Sequence, residues 1–278
     1  MQYTLNIKGK LLDLSEPQVM GILNVTPDSF FAGSRKQTEQ DIAERARQIV
    51  NEGGSIIDVG AFSTRPGADE VTEEEEMTRL RRALTIVKCE VPDAIVSVDT
   101  FRPAVARMAV EEMGADIIND VSEGGVTGIV GKALEAEASE VPQIFRTVAS
   151  LQVPYILMSV QKDLHDTLMA FAKKVQMLRD MGQKDIILDP GFGFGKTVEE
   201  NYRLMNEMEK LQVMGLPLLV GISRKSMIFK LLQSDQSKAL NGTTVLNTIS
   251  LMKGADILRV HDVKEAVECV KIFKALNS

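Results

Sequence analysis

Tryptophan is absent from the 278 residues, and cysteine and histidine occur twice each. Cys89 lies in a charged helical pattern and Cys269 near the C-terminal end, with no spacing that suggests a metal site or a disulfide framework. A zinc centre therefore has no support, and a reducing cytoplasm is the expected compartment. His165 sits in a polar segment and reads as a surface residue, which leaves His261 as the histidine of interest. The opening MQYTLNIKGK lacks an apolar signal core, and no stretch approaches the roughly 18 apolar residues of a membrane span, so no membrane partner is expected. A net charge of -7 repels nucleic acid as a whole, although a local cationic pocket for a small anion remains compatible with it. No dinucleotide fingerprint follows the first apolar run, which counts against a doubly wound open sheet.

What is present is a periodic alternation. Short apolar runs rich in Val, Ile and Leu recur as VMGILNV from Val19, SIIDVG from Ser55, IVSVDT from Ile95 and DIINDV from Asp116. They continue as YILMSV from Tyr155, IILDP from Ile186, LLVGIS from Leu218 and ILRVHD from Ile257, and their starts stand a strand plus a crossover helix apart. Near-continuous apolar runs suit parallel strands covered on both faces. Eight such units predict an α/β protein, a (β/α)8 TIM barrel, for which about 250 residues in one domain is ordinary. Residues 1–278 are therefore expected to form a single domain, with an N-terminal hairpin over 1–18 and the barrel over 19–278. In that hairpin Tyr3, Leu5 and Ile7 alternate with polar residues, Gly9 turns the chain, and Leu12 and Leu14 return to close the barrel's bottom. Thr72 and Glu75 read as a capping box in a solvated acidic helix start, and the connection from Ser122 to Pro154 has room for two helices.

The ends of the runs carry the chemistry: Asn24, Asp58, Asp99, Asn119, Asp189, Ser223 with Lys225, and Arg259 with His261. The fifth run has no such residue. In a parallel barrel all strand C-termini open on one face, so these side chains converge on one pocket. Any one of them is ordinary as a helix cap or turn former, but buried carboxylates on nearly every unit demand partners, from a ligand, a metal or an ion pair. Carboxylates and amides can read the N–H edge of a heterocycle, while Lys225, Arg259 and His261 suit an anion. The glycine-rich GFGFGKT, Gly191 to Thr197, has three residues before its Gly-Lys pair where a Walker motif needs four, and reads instead as a close backbone wall of the pocket. Two loops, Asn24 to Phe30 and Ser63 to Gly67, follow the first two strands and combine proline with hydroxyl, amide and charged groups.

Taken in order, MGILNVTPDSF, IDVGAFSTRPGA, VSVDTF, ADIINDVS, ILDPGFGFGKT, LLVGISRKS and GADILRVHDVKE resemble the successive motifs of the dihydropteroate synthases. The resemblance runs from Val19 to Glu265. It implies a transferase that joins 6-hydroxymethyl-7,8-dihydropterin pyrophosphate to p-aminobenzoate, releasing pyrophosphate, in folate biosynthesis. Carried over position by position, Asp99, Asn119, Asp189 and Lys225 match the pterin-binding residues. Asn24 matches the residue for Mg²⁺ and pyrophosphate, supported from behind by Asp58. Thr64, Arg65, Arg259 and His261 match residues around the pyrophosphate and the approach of p-aminobenzoate, and Phe30, Pro66 and Ser223 match residues near the p-aminobenzoate pocket, where sulfonamides compete. The family is commonly a homodimer.

Three segments depart from the family's pattern. Phe31-Ala32-Gly33-Ser34 replaces Ser-Asp-Gly-Gly, Ala61-Phe62 replaces Gly-Glu, and Leu157-Met158-Ser159-Val160 replaces Leu-Met-His-Met. Two other readings share the barrel. A methyltetrahydrofolate methyltransferase has no reason to keep a pyrophosphate site, against which the Ser223-Arg224-Lys225 and Arg259-Val260-His261 motifs stand. A catalytically weak pterin-binding protein is suggested by Ala32 in place of the loop aspartate.

Overall fold

The structure, a computed structural model, describes residues 3–25, 35–62, 71–124 and 141–277. Its strands are β1 (Thr4–Ile7), β2 (Lys10–Asp13), β3 (Gln18–Asn24), β4 (Ile56–Gly60), β5 (Ile95–Asp99), β6 (Ile117–Asp120), β7 (Tyr155–Met158), β8 (Ile186–Asp189), β9 (Leu219–Val220) and β10 (Ile257–Val260). Its α-helices are α1 (Arg35–Asn51), α2 (Glu73–Glu90), α3 (Pro103–Arg107), α4 (Gln143–Leu151), α5 (Leu164–Asp180), α6 (Val198–Glu207), α7 (Ser226–Leu231), α8 (Leu240–Met252) and α9 (Val263–Asn277).

Strands β3 to β10 pair in parallel in the order β8-β7-β6-β5-β4-β3-β10-β9. A parallel bridge between Leu188 and Leu218 brings the two ends of this sheet together, with the Leu188 amide donating to Pro217 O at 2.9 Å. The eight apolar runs thus become eight barrel strands, and the open-sheet alternative is excluded.

Alternation along the strands sorts the apolar residues into two cores. Val19, Ile57, Val59, Val96, Val98, Leu157 and Leu188 face outward into the large core shared with the helices. Met20, Ile56, Ile117, Ile156, Ile187, Leu219 and Ile257 face inward and form a separate cluster with Leu5, Ile7 and Leu14 of the hairpin. Seven strands therefore contribute one large apolar residue each to the bottom layer, and the hairpin closes it from below, as the sequence predicts. The two-residue turn has left-handed backbone at Lys8 (φ 49°) and Gly9 (φ 87°), the conformation that matches the twist of paired antiparallel strands. Lys8 is tied to the barrel by an ion pair with Asp116, 2.6 Å from Nζ.

The helix starts differ from expectation in two details. Thr72 caps α2, accepting from the Glu75 amide at 3.2 Å, but the Glu75 carboxylate pairs with Arg79 one turn on. Glu76, the last of the acidic run, is buried rather than solvated and pairs with Arg102 at 2.6 Å. The reciprocal box belongs to α6, where the Thr197 amide donates to Glu200 at 2.7 Å and the Glu200 amide to Thr197 at 3.2 Å. In the connection from Ser122 to Pro154, α4 is the helix described, and residues 125–140 lie outside the described residues.

Leu5→Ala should leave a cavity in the barrel floor and lower the unfolding free energy by about 3 kcal/mol. Gly9→Ala meets no atom within 4 Å and should lose only about 1 kcal/mol, through its left-handed backbone. Urea denaturation of both variants checks the ranking, and equal losses would contradict a load on the floor.

Candidate active site

Two residues above the floor, the inward face of six of the strands carries Asp58, Ser97, Asn119, Met158, Asp189 and Arg259. The period of two that buries the isoleucines below also aims this polar layer into the barrel. Cross-strand partners then run Asn24 to Gly60, Gly60 to Asp99 and Asp99 to Asn119. Gly60 lets this row pack closely, since a Cβ there would stand 3.3 Å from Asn24 Oδ1 and 3.4 Å from Asp99 Cβ.

Arg259 is the centre of charge. Its Nε donates to Asp58 Oδ2 at 2.7 Å and its Nη2 to Asp99 Oδ2 at 3.0 Å. Asn119 Nδ2 donates to the same Asp58 oxygen at 3.1 Å. Asp58 is therefore engaged with Arg259 and Asn119, whereas the family resemblance set it behind Asn24; β3 and β4 place Asn24 level with Gly60, a step above the aspartate. Burial pushes the Asp99 carboxyl up to about 7, with Asp58 adding to the rise and the Arg259 guanidinium drawing it down. Asp58 Oδ1 and Asn119 Oδ1 are buried and have no hydrogen-bond partner among the described residues. Each is an acceptor that the N–H of a bound molecule would satisfy.

The opposite side of the pocket is built by the glycine-rich segment. Asp189 Oδ1 accepts from the Gly191 amide at 2.8 Å, and burial raises its carboxyl against the pull of Lys225. Lys225 donates to Phe192 O and stands 4.2 Å from the centre of the Phe194 ring. Burial pushes its ammonium down to about 7, Asp189 opposing and Arg259 assisting. Gly193 passes so close that a Cβ would lie 2.8 Å from Lys225 Cδ, and one at Gly191, in left-handed backbone, would strike Ser159 O at 1.9 Å. The segment is indeed a backbone wall. Lys196 serves the wall itself, donating to Gly191 O at 2.9 Å from a site where burial lowers its ammonium to about 8.

Val121, Met158 and Val160 form a small apolar cluster with Phe194 packed against it. The fifth barrel strand, which lacks a polar end, thus gives the pocket an apolar side. These four residues escaped the sequence reading because an apolar wall and ordinary core have the same signature; Gly60 escaped because its role is to have no side chain.

At the rim, His261 Nδ1 lies 3.0 Å from Ser223 Oγ, which also accepts from the His261 amide at 3.1 Å. Burial and the neighbouring Arg259 push the imidazole down to about 4, so at neutral pH it is an uncharged hydrogen-bonding group rather than a cation beside an anion. Arg224 turns away from the pocket into a two-point pair with Asp262, 2.8 Å for each bond. Phe30, Thr64, Arg65 and Pro66, and the substituted segment from Phe31 to Ser34, lie outside the described residues. Among the described residues no three His, Cys, Asp or Glu side chains gather to hold a metal ion, and no helix is long and apolar enough to cross a membrane.

The model of the pterin binding enzyme family matches residues 20–261. The chain is 40% identical to the dihydropteroate synthase of Escherichia coli K12, over 98% of this chain and 95% of that one. It is 34% identical to the Haemophilus influenzae enzyme of the same name, over 96% of each. Among solved structures, Xanthomonas albilineans dihydropteroate synthase with 4-aminobenzoic acid superposes with a TM-score of 0.86 at 32% identity, covering 100% of this chain and 99% of that one. The Yersinia pestis dihydropteroate synthase in complex with a sulfonamide drug gives 0.84 at 35% identity, covering 99% of both.

Unfolding exposes the His261 ring and restores a value near 6.5. Between that value and about 4 the unfolded chain takes up a proton that the folded site refuses, so this contribution to stability is complete above pH 6.5 and is lost as the pH falls toward 4. The His261 ring-proton resonance should accordingly titrate near pH 4 in the folded protein, and a midpoint above about 6 would contradict the buried, neutral ring.

Proposed function

The chain belongs to the pterin binding enzymes and is a transferase of the dihydropteroate synthase kind, and on that premise we propose how its own residues divide the reaction between them. The reaction condenses 6-hydroxymethyl-7,8-dihydropterin pyrophosphate with p-aminobenzoate to dihydropteroate and pyrophosphate. The observation that carries the assignment is the buried acceptor row, in which Asp58 Oδ1 and Asn119 Oδ1 stand unpartnered among the described residues beside Asp99. A flat heterocycle with several N–H and amino donors satisfies such a row. In this reading Asp99, Asn119 and Asp189 accept from the pterin edge, Lys225 faces the ring carbonyl, and Val121, Met158 and Phe194 supply apolar contact.

The substrate's exocyclic carbon is attached to an electron-rich dihydropterin. Its C–O bond breaks with the electron pair leaving on pyrophosphate; the neutral arylamine's lone pair forms the new C–N bond, and the amine proton passes to solvent. A strong nucleophile in the protein is not needed, which agrees with a site whose named side chains include neither a cysteine nor an activated serine. The protein's share is orientation and electrostatic support of the leaving group. Thr64, Arg65 and Arg259 are proposed to hold the pyrophosphate end, with His261 contributing a hydrogen bond and no charge. Phe30, Pro66 and Ser223 are proposed to line the p-aminobenzoate side.

Asn24 fits a hard divalent cation: it presents an amide oxygen from the end of β3, at the exposed top of the row. Mg²⁺ is commonly held by one or two protein oxygens together with substrate phosphates. Bound there, Mg²⁺ would neutralise charge on the pyrophosphate. A cytoplasmic homodimer is the proposed state of the protein.

The decisive assay is pyrophosphate release, expected to require both p-aminobenzoate and Mg²⁺. Pterin binding without turnover would point to a binding protein instead, and methyl transfer from methyltetrahydrofolate to the other enzyme of this barrel. Asp189→Ala should weaken pterin binding by about 1 to 3 kcal/mol for each ring donor left unpaired. Calorimetry with a pterin lacking the pyrophosphate checks this, and unchanged affinity would remove Asp189 from the site.

A further inference from the structure

Phe62 stands where the resemblance has a glutamate, and the structure shows what it touches. Its ring meets Phe101 edge to face, with centres 5.6 Å apart and planes at 84°. The Arg102 guanidinium lies over both rings, Cζ 5.5 Å from the centre of Phe62 and 5.6 Å from that of Phe101. The same guanidinium donates from Nη1 to the buried Glu76 at 2.6 Å and from Nη2 to Val71 O at 2.7 Å. Phe62 and Val71 flank the segment that carries Thr64, Arg65 and Pro66. One side chain thus holds both stems of that segment, and it does so from a position three residues after Asp99.

We infer that Arg102 is a positioning residue, which through Phe62 and Val71 sets the stems of residues 63–70 against the pterin row and thereby serves the approach of the arylamine. The inference rests on the proposed roles of residues 64–66. Four features make the contact specific. Arg102 is the residue before α3, and its side chain reaches back to Phe62, just after β4, and to Glu76 in α2. Glu76 holds the guanidinium from a site that is 1% exposed, so the head cannot swing into solvent without stranding a buried carboxylate. A planar guanidinium can stack on rings while its edge donates two hydrogen bonds, which an ammonium cannot do together. Arg79 adds a weaker tie to the first stem, donating to Ala61 O at 3.4 Å. A glutamate at position 62 would place a second carboxylate at this guanidinium; Phe62 leaves it free to serve Glu76 and Val71.

Arg102→Lys and Phe62→Leu test this in the full chain. Each should speed amide hydrogen exchange in residues 61–62 and 71–72 while leaving β5 unchanged. Each should also raise the KM for p-aminobenzoate about fivefold, the worth of a partly exposed cation–ring contact. The kcat, and affinity for a pterin lacking pyrophosphate, should stay within about twofold. The double variant should be no worse than Arg102→Lys alone, since the contact that Phe62→Leu removes is already lost there. Unchanged exchange in the stems overturns the tether, whatever the turnover. Unchanged KM, additive losses, or a parallel fall in pterin affinity overturns the positioning role. If the unaltered enzyme shows no p-aminobenzoate-dependent turnover, the functional reading of the site fails, and the exchange experiment still decides whether the tether exists.

Discussion

Everything above the barrel floor depends on one guanidinium. Arg259 joins two carboxylates from neighbouring strands in the middle of a closed sheet, where an unpaired charge would be strongly disfavoured. With Arg259 in place, Asp58 can be fully buried and still hold the amide of Asn119, so Asp58, Asp99 and Asn119 are held in one bonded network before any ligand arrives. Such a buried cluster is a weak source of stability, because desolvation offsets most of the Coulomb attraction. What it supplies is orientation: acceptors held at set positions by the sheet. Arg259 also connects the two ends of the site, since its charge acts on Asp99 and Lys225 on one side and on His261 on the other.

The same repeating geometry accounts for both layers. On β4, β5, β6, β8 and β10 a strand that sends isoleucine inward at one position sends a polar residue inward two positions later, so the floor and the site are consecutive outcomes of one alternation. The hairpin belongs to this logic. By sealing the bottom with Leu5, Ile7 and Leu14 it lets the lower layer be wholly apolar, and it leaves the upper layer as the place where polar groups meet solvent and ligand.

The barrel was legible because eight apolar runs recur at a strand-plus-helix interval and because polar residues end most of them. Asp99, Asn119, Asp189, Lys225 and Arg259 could be picked out for the same reason, a polar residue at the end of an apolar strand being conspicuous. Other features left no such mark. Met158 and Phe194 look like core, Gly60 acts through lacking a Cβ, and the buried Glu76 of the Glu76–Arg102 pair sits in an acidic run that reads as solvated. The partners of Asp58, Arg259 and Asn119, leave no local mark either, because strand stagger is a property of the closed sheet and not of any local motif. The charge state of His261 likewise comes from burial beside Arg259, which a sequence pattern does not disclose.

A barrel plugged at one end is a well with a single mouth, and this orders the traffic through it. Asn119 and Asp189 stand on the layer directly above the plug, while Ser223 and His261 follow the ends of their strands nearer the mouth. A molecule held there enters and leaves by that mouth, because Leu5, Ile7 and Leu14 fill the other end. Ten residues of hairpin, on the far side of the protein from the chemistry, thus decide which end of the barrel admits a ligand.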